Sequence, residues 1–271
     1  MSARVGVVGH VEWVHFVEVP ELPRRGAIAH ARADYRQAAG GGMVAAVHLA
    51  RLAGSAAFFT ALGDDEGGRH ARKQAAGHGL ELHAATRPDT STRRAISFVD
   101  GGHERTITLL DPRLVPHGAD ELPWERIASL DAVYFCNGDP VAARHARTAG
   151  VLVATARVHG VLAQAGVELD ALVASASDPG EQGAAGELDP PPRLVVRTDG
   201  DRGGTWTAGD GTSGSWEAAP LPGAPADTYG CGDAFAAGLT LGLARGLTAE
   251  EAVRLGAECG ARCLTLRGPY G

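Results

Sequence analysis

The stretch Tyr229-Gly230-Cys231-Gly232-Asp233 runs directly into the apolar helical pattern Leu239, Leu241, Leu243 and Ala244. Small residues at Gly230, Cys231 and Gly232 let successive backbone N–H groups converge on one point, and the positive end of a helix dipole lies at the same place. Such a turn holds an anion. An aspartate at its rim, Asp233, can take the proton of an attacking hydroxyl while the N–H groups stabilise charge on a transferring phosphoryl group. Asp at the start of a helix more often serves only as a cap, so the turn by itself does not establish this chemistry.

Other chemistries have fewer candidates. Lys73 is the only lysine and Asn137 the only asparagine. Lys73 lies in Gly67-Gly68-Arg69-His70-Ala71-Arg72-Lys73-Gln74, a polar run that reads as a solvated helix face. That weighs against Walker-type phosphate loops, protein-kinase folds and Schiff-base enzymes together. Among Cys136, Cys231, Cys259 and Cys263, no pair has the two-residue gap of a zinc knuckle, and Cys259 and Cys263 read as reduced thiols packed on one helix face. Gly209-Asp210-Gly211-Thr212-Ser213-Gly214 spells a dinucleotide fingerprint, but it lies between Thr205-Trp206-Thr207 and Ser215-Trp216-Glu217 with no helix after it, and reads as a hairpin turn. A net charge of -7 without dense Arg or Lys runs argues against a nucleic-acid partner. No apolar run has the length a bilayer or a signal peptide requires, so the expectation is a cytoplasmic protein with no membrane partner.

The elements that must position Asp233 follow from hydrophobic rhythm. A chain of 271 residues, 44% hydrophobic, suits one large α/β domain over 1–271. Val5-Gly6-Val7-Val8-Gly9 predicts a buried central strand ending on a site, and residues 11–38, with Pro20 and Pro23, predict a small β appendage. Gly40-Gly41-Gly42 then feeds a helix stopped at Gly54, followed by a strand at 56–62, a helix at 64–77 and a strand at 80–85. Residues 92–99 and 105–110 flank Asp100-Gly101-Gly102-His103 as a hairpin that completes the appended sheet. Short apolar runs at 132–136, 151–154, 171–174 and 194–196 recur at helix-length intervals, the rhythm of a parallel sheet with crossover helices. Residues 180–192 read as a loop or frayed helix.

Ala226 to Gly238 resembles the C-terminal signature of the ribokinase or PfkB family of carbohydrate kinases, Asp-Thr-x-Gly-Ala-Gly-Asp-x-Phe-x-x-Gly, with Cys231 at the usual alanine. The resemblance covers nearly the whole chain: Ala39 through Gly54 is similar to the N-terminal signature, Ala61 through Gly68 to the segment that follows it, and Thr198 through Gly204 to the Thr-x-Gly-x-x-Gly turn. It implies a ribokinase-like three-layer α/β/α sandwich with a small β-sheet lid, approximately 11–38 and 92–110. It also implies Asp233 as base, Gly40, Gly41 and Gly42 beside the acceptor, ATP along Thr198, Gly200 and Gly203, Mg²⁺, and a monovalent cation such as K⁺ near Asp227 and Tyr229.

The departures concern ligands. Val14 and Ala45 stand where relatives often carry an Asp and an Asn that hold sugar hydroxyls, so Glu12 and Arg94, with His10 and His15 nearby, become the polar candidates for substrate contact. The family's Asn-x-x-Glu motif corresponds to Ser175-Ala176-Ser177-Asp178, where Asp178 keeps a carboxylate for Mg²⁺ through water and Ser175 a small polar group. The sequence stops at Gly271 where relatives usually continue, which implies a shortened wall for the adenine pocket. The expected activity is ATP-dependent phosphorylation of a hydroxyl on a sugar or sugar-like molecule. A nucleoside acceptor walled by Trp13, Phe16 and Phe98, and a weakened nucleotide- or sugar-binding protein, are the alternatives. The apolar run Trp13, Val14, Phe16, Val17 and Val19 is too rich for a fully exposed strand, and the resemblance implies a homodimer paired through the lid, with a closing monomeric lid as the alternative.

Overall fold

The computed structural model describes residues 3–271. In chain order the strands are β1 (Val5–Val8), β2 (Glu12–Glu18), β3 (Ala33–Ala39), β4 (Ala56–Gly63), β5 (Leu80–Arg87), β6 (Arg94–Val99), β7 (Arg105–Leu109), β8 (Ala132–Phe135), β9 (Val151–Thr155), β10 (Ala171–Ser175), β11 (Leu194–Thr198), β12 (Gly204–Ala208) and β13 (Ser213–Trp216). The helices are α1 (Gly41–Ala53), α2 (Glu66–Gly77), α3 (Pro140–Ala146), α4 (His159–Ala165), α5 (Cys231–Ala244) and α6 (Ala249–Leu264). Nine strands form one sheet in the order β13-β12-β11-β10-β9-β8-β1-β4-β5. From β11 to β5 every neighbouring pair is parallel, and the β12–β13 hairpin extends that edge antiparallel. Gly209 to Thr212 is the turn of this hairpin, and Ser213 and Gly214 open β13, with no helix behind them.

Alternation along the buried strands builds the three layers. Val7, Tyr134, Val153, Val173 and Val196 point to one face, where they join Met43 and Val47 of α1, Leu239 and Leu241 of α5 and Val253 of α6. Their neighbours Val8, Phe135, Leu152, Leu172 and Ala174 point to the other, against Ala142, Ala143 and Ala146 of α3 and Leu162 of α4. A strand covered by helices on both faces needs apolar side chains at every position, which is why these runs read as continuously hydrophobic. The parallel strands deliver their carboxyl ends to a single edge. There the chain leaves β1 at Gly9-His10, β8 at Cys136-Asn137, β9 at Arg157, β10 at Ser175 to Glu181, and β11 at Asp199 to Gly203, the usual place for a ligand in an open α/β sheet.

A second sheet, ordered β3-β2-β6-β7, covers that edge. Its register is specified by burial: Glu12, Val14 and Phe16 of β2 and Ala95, Ser97 and Val99 of β6 face inward. Phe16 stacks on Tyr35 at 4.9 Å and meets the Tyr229 ring edge-on at 5.0 Å, while Trp13 stacks on His70 of α2 at 5.0 Å. Val14, Phe16 and Val19 are therefore covered within the chain, and the reason they gave for a paired lid is met by packing of this lid on its own body. The outer strand β7 is exposed along its whole length and is the lid's open edge.

Candidate active site

Three helices, α2, α3 and α6, begin with a side-chain cap from Asp65, Asp139 and Thr248 respectively. The first turns of α1 and α5 have none, and these two turns face each other. Each follows a glycine in the left-handed region, Gly40 at φ 83° and Gly230 at φ 83°, so the chain can reverse sharply into the helix. Their approach is close enough that a Cβ on Gly41 would lie 2.8 Å from Oδ1 of Asp233. Gly40 donates its N–H to the Tyr229 hydroxyl at 3.1 Å, tying the start of α1 to the turn before α5. A Cβ on Gly232 would meet nothing within 4 Å, so this backbone opens onto free space. Uncapped N–H groups beside open space are what an incoming phosphate requires.

Asp233 occupies the third position of α5, half-buried as a residue with its carboxylate enclosed. Lost hydration raises its pKa to about 6, although Arg157 and Arg105 pull it down. A carboxylate held there is more basic than an exposed aspartate and still ionised near neutrality, the property wanted in a general base.

On the lid side of Asp233 lie His10, Glu12 and Arg93. Glu12 and His10 flank Gly40, where a Cβ would come within 2.9 Å of Glu12 Cγ and 3.2 Å of His10 Cδ2. Arg93 Nη1 is 3.4 Å from Glu12 Oε1, and His10 Nε2 is 3.7 Å from the same oxygen. Burial raises the pKa of Glu12 and lowers that of His10, and the arginines Arg113, Arg93 and Arg157 lower His10 further, so its imidazole is neutral. Val14 and Ala45 are fully buried and apolar.

Arg94 is not brought to this site. Its register partner is Trp13, on the face opposite Glu12, and its guanidinium forms a two-pronged pair with Asp111 at 2.7 and 3.1 Å. His15 is likewise outward, against Asp34 at 2.7 Å. The adjacent Arg93, which sequence reasoning passed over, is the arginine that turns inward. Only the parity of β6 distinguishes the two.

Beyond the α5 turn, the carboxyl ends of β10 and β11 form the second half of the site. Asp178 accepts from Arg157 Nη2 at 3.0 Å and from Gly180 N at 2.9 Å. A second carboxylate, Glu181, is buried; it accepts from Ser175 N at 2.7 Å and from Arg157 Nε at 2.8 Å. Asp178-Pro179-Gly180-Glu181 thus also has the spacing of a polar residue and a Glu three apart, a signal present in the sequence but hidden inside a Pro- and Gly-rich segment. Thr198 ends β11, and Gly200 at φ 58° and Gly203 at φ 81° shape the turn after it. Next to it is an open cleft of about 560 Å³ lined by Ala176, Arg197, Asp199, Arg202, Thr205 and Trp216. The hard oxygens of Asp178 and Glu181 suit a hydrated Mg²⁺, and the cleft volume suits a nucleotide. Among the described residues no cluster of three or more His, Cys, Asp or Glu could hold a metal ion alone.

The residues expected near a monovalent cation are otherwise engaged. Asp227 is buried and accepts from Tyr229 N at 2.8 Å. The Thr228 carbonyl accepts from Arg105 Nη1 at 2.7 Å, and the Tyr229 carbonyl from the Cys263 thiol at 3.5 Å. Arg105, reaching from β7, also lies 5.9 Å from the Tyr229 ring centroid and lowers the pKa of Asp227 against the effect of burial. These groups do not fit a K⁺ site, and a guanidinium supplies positive charge beside them.

The sequence model of the pfkB family carbohydrate kinase matches residues 2–164 and 161–271. No curated protein matches the chain. Among solved structures, the adenosine kinase of Sinorhizobium meliloti is 19% identical with a TM-score of 0.80, over 100% of this chain and 96% of that one. The ribokinase of Thermotoga maritima is 18% identical with a TM-score of 0.77, over 98% and 94%. The Arabidopsis thaliana ribokinase complexed with ribose and ATP is 18% identical with a TM-score of 0.76, over 99% and 94%. The shared feature is the fold: a ribokinase-like mixed sheet between helices, with a four-stranded lid.

Proposed function

The chain belongs to the pfkB family of carbohydrate kinases, and from that premise we propose that it transfers the γ-phosphate of ATP to a hydroxyl of a sugar or sugar-like acceptor. The observation that carries this reading is the meeting of two uncapped helix starts at one enclosed, still ionisable Asp233.

In this reading the acceptor lies between Gly40-Gly41-Gly42, Glu12 and the inner face of the lid, with the attacking hydroxyl directed at Asp233. Asp233 takes the hydroxyl proton as the oxygen attacks. The N–H groups of the Gly230-Cys231-Gly232 turn receive the charge of the transferring phosphoryl group, and Arg157, close enough to lower the pKa of Asp233, adds a cation on the same side. ATP would lie along Thr198, Gly200 and Gly203. Asp178 and Glu181 would hold Mg²⁺ through its waters, the ion supplying neutralisation of phosphate charge. The lid excludes water that would otherwise compete with the acceptor. In this reading Arg105, bonded to the Thr228 carbonyl, supplies the positive charge beside Asp227 and Tyr229 in place of a monovalent cation.

A nucleoside acceptor has less support. Phe16 and Trp13 are committed to stacking on Tyr35 and His70, and Phe98 lies on Trp13's face of the lid, away from Glu12.

The test is ADP release by wild type and Asp233→Ala over a panel of sugars, sugar derivatives and nucleosides. Losing the base lowers turnover by about a hundredfold or more, with the melting temperature and ATP binding retained. Equal turnover by Asp233→Ala would remove Asp233 from the mechanism.

A further inference from the structure

Two thiols meet in the floor of the α5 turn. Helices α5 and α6 pack antiparallel, and glycines mark the line along which they touch. A Cβ on Gly242 would lie 2.9 Å from Ala252, one on Gly238 2.8 Å from Cys259 Sγ, and one on Gly260 3.3 Å from the Cys231 carbonyl oxygen. One helical turn beyond Cys259, the same line brings Cys263 to Cys231, the first residue of α5. Their thiols lie in hydrogen-bond contact. Both also reach the chain that leads into the turn: Cys231 Sγ is 4.0 Å from the Asp227 carbonyl and Cys263 Sγ 3.5 Å from the Tyr229 carbonyl.

The other two cysteines have a different setting. Cys259 is buried against Gly238 and Cys136 at the end of β8, where lost hydration raises both thiols and leaves them inert packing groups. Cys231 is only half-buried and adjoins the open space beside Gly232, so a small oxidant can reach it by the path a phosphate would take. Cys263, fully buried, lies behind it. The hydrogen bond from Cys263 holds the Cys231 thiol below its ordinary pKa and pushes Cys263 up, which makes Cys231 the attacking sulfur and Cys263 the resolving one.

We infer that Cys231 and Cys263 form an oxidisable dithiol, closed by a hydroperoxide to a disulfide that takes the phosphate turn out of use and reopened by a thiol reductant. The Cys231 thiolate attacks the peroxide, an S–O bond forms as the O–O bond breaks, and the departing oxygen leaves as an alcohol or water. Cys263 sulfur then attacks Cys231 sulfur. The S–S bond forms, the S–O bond breaks, and the hydroxide leaves as water with the Cys263 proton, so two thiols have given two electrons to one peroxide. Closing the sulfurs to about 2 Å draws the start of α5 toward the end of α6. The N–H groups of Cys231 and Gly232 belong to that start and Asp233 is two residues on, so one movement displaces the phosphate donors and the base together.

The effect on transfer rests on the kinase reading, whereas the link itself does not, and the experiment reads them separately. Wild type, Cys231→Ala and Cys263→Ser are treated with hydrogen peroxide and then with dithiothreitol. Each state is followed by peptide mass spectrometry after thiol blocking, by calorimetric titration with ATP and Mg²⁺, and by ADP release over the acceptor panel. Oxidised wild type should carry a Cys231–Cys263 link, bind ATP at least about tenfold more weakly, lose turnover, and recover all three properties with dithiothreitol. Cys231→Ala, whatever its starting turnover, should keep it under peroxide. In Cys263→Ser the oxidation should stop at a Cys231 sulfenic acid, trapped by a 1,3-diketone; because Cys263 is buried, Cys231→Ala carries the comparison if this variant fails to fold. Wild type without that link, a link that leaves ATP affinity and turnover unchanged, or Cys231→Ala inactivated as fast as wild type would overturn the inference. A reversible link that weakens ATP binding in a protein that phosphorylates no acceptor would uphold it and sink the kinase reading. Asp233-dependent transfer that survives peroxide with both thiols still free would do the reverse.

Discussion

Gly41→Ala tests the geometry of the base with a single methyl group. Gly41 opens α1 outside the left-handed region, so alanine can adopt its backbone without strain. In an α-helix that exchange favours folding by up to about 1 kcal/mol, and by less in the first turn. The same methyl, however, would stand 2.8 Å from Asp233 Oδ1, where ordinary contact begins near 3.4 Å. The carboxylate must retreat by about 0.6 Å, and a displacement approaching an ångström at the reacting atoms costs roughly tenfold to a hundredfold in rate. Stability and turnover should therefore move apart: a melting temperature equal to or above wild type, with kcat down by about one to two orders of magnitude. Differential scanning fluorimetry and coupled ADP-release kinetics on one preparation read both. If Gly41→Ala keeps wild-type kcat, the carboxylate of Asp233 does not work from the position against α1, and the base assignment loses its geometric support.

Three further outcomes follow from the site. Since Asp233 is active when deprotonated and its pKa is raised to about 6, kcat/KM should fall about tenfold per pH unit below 6 and level off above it; a profile flat to pH 4.5 would show a different base. Glu181→Gln should raise the Mg²⁺ concentration needed for half-maximal rate at least as much as Asp178→Asn, with the acceptor KM little changed, because Glu181 is the buried carboxylate of the pair; a Mg²⁺ titration that leaves Glu181→Gln at the wild-type value would confine it to holding Arg157 and Ser175. Replacing K⁺ by choline should leave wild-type turnover unchanged, since Arg105 and the Cys263 thiol occupy the Thr228 and Tyr229 carbonyls, and a K⁺ requirement would show that those contacts open in the working enzyme.

What the sequence by itself determined was local in origin. Short continuous apolar runs such as Val5 to Val8 and Ala171 to Ala174 suit strands covered on both faces, and glycines at 40, 54 and 230 mark where helices begin or end, because the physics of each lies within a few residues. The place of Asp233 in the first turn of α5, beside Gly230, Cys231 and Gly232, was legible for the same reason, since it is set by sequence adjacency. The tertiary structure decided everything that depends on parity or on distant segments meeting. Arg93 and Arg94 are neighbours of one type, yet a single step of a period-two strand sends the first toward Glu12 and the second out to Asp111. Glu181 joins the candidate site only because the loop after β10 folds back on Ser175 N, and Arg105 only because β7 crosses the turn before α5, more than 120 residues later in the chain. Trp13 and Phe16 pack on His70, Tyr35 and Tyr229, partners that no local pattern around β2 contains. Such pairings follow from how the lid and sheet pack, since hydrophobic burial is non-directional along the sequence and acquires its specificity from the shape of the whole.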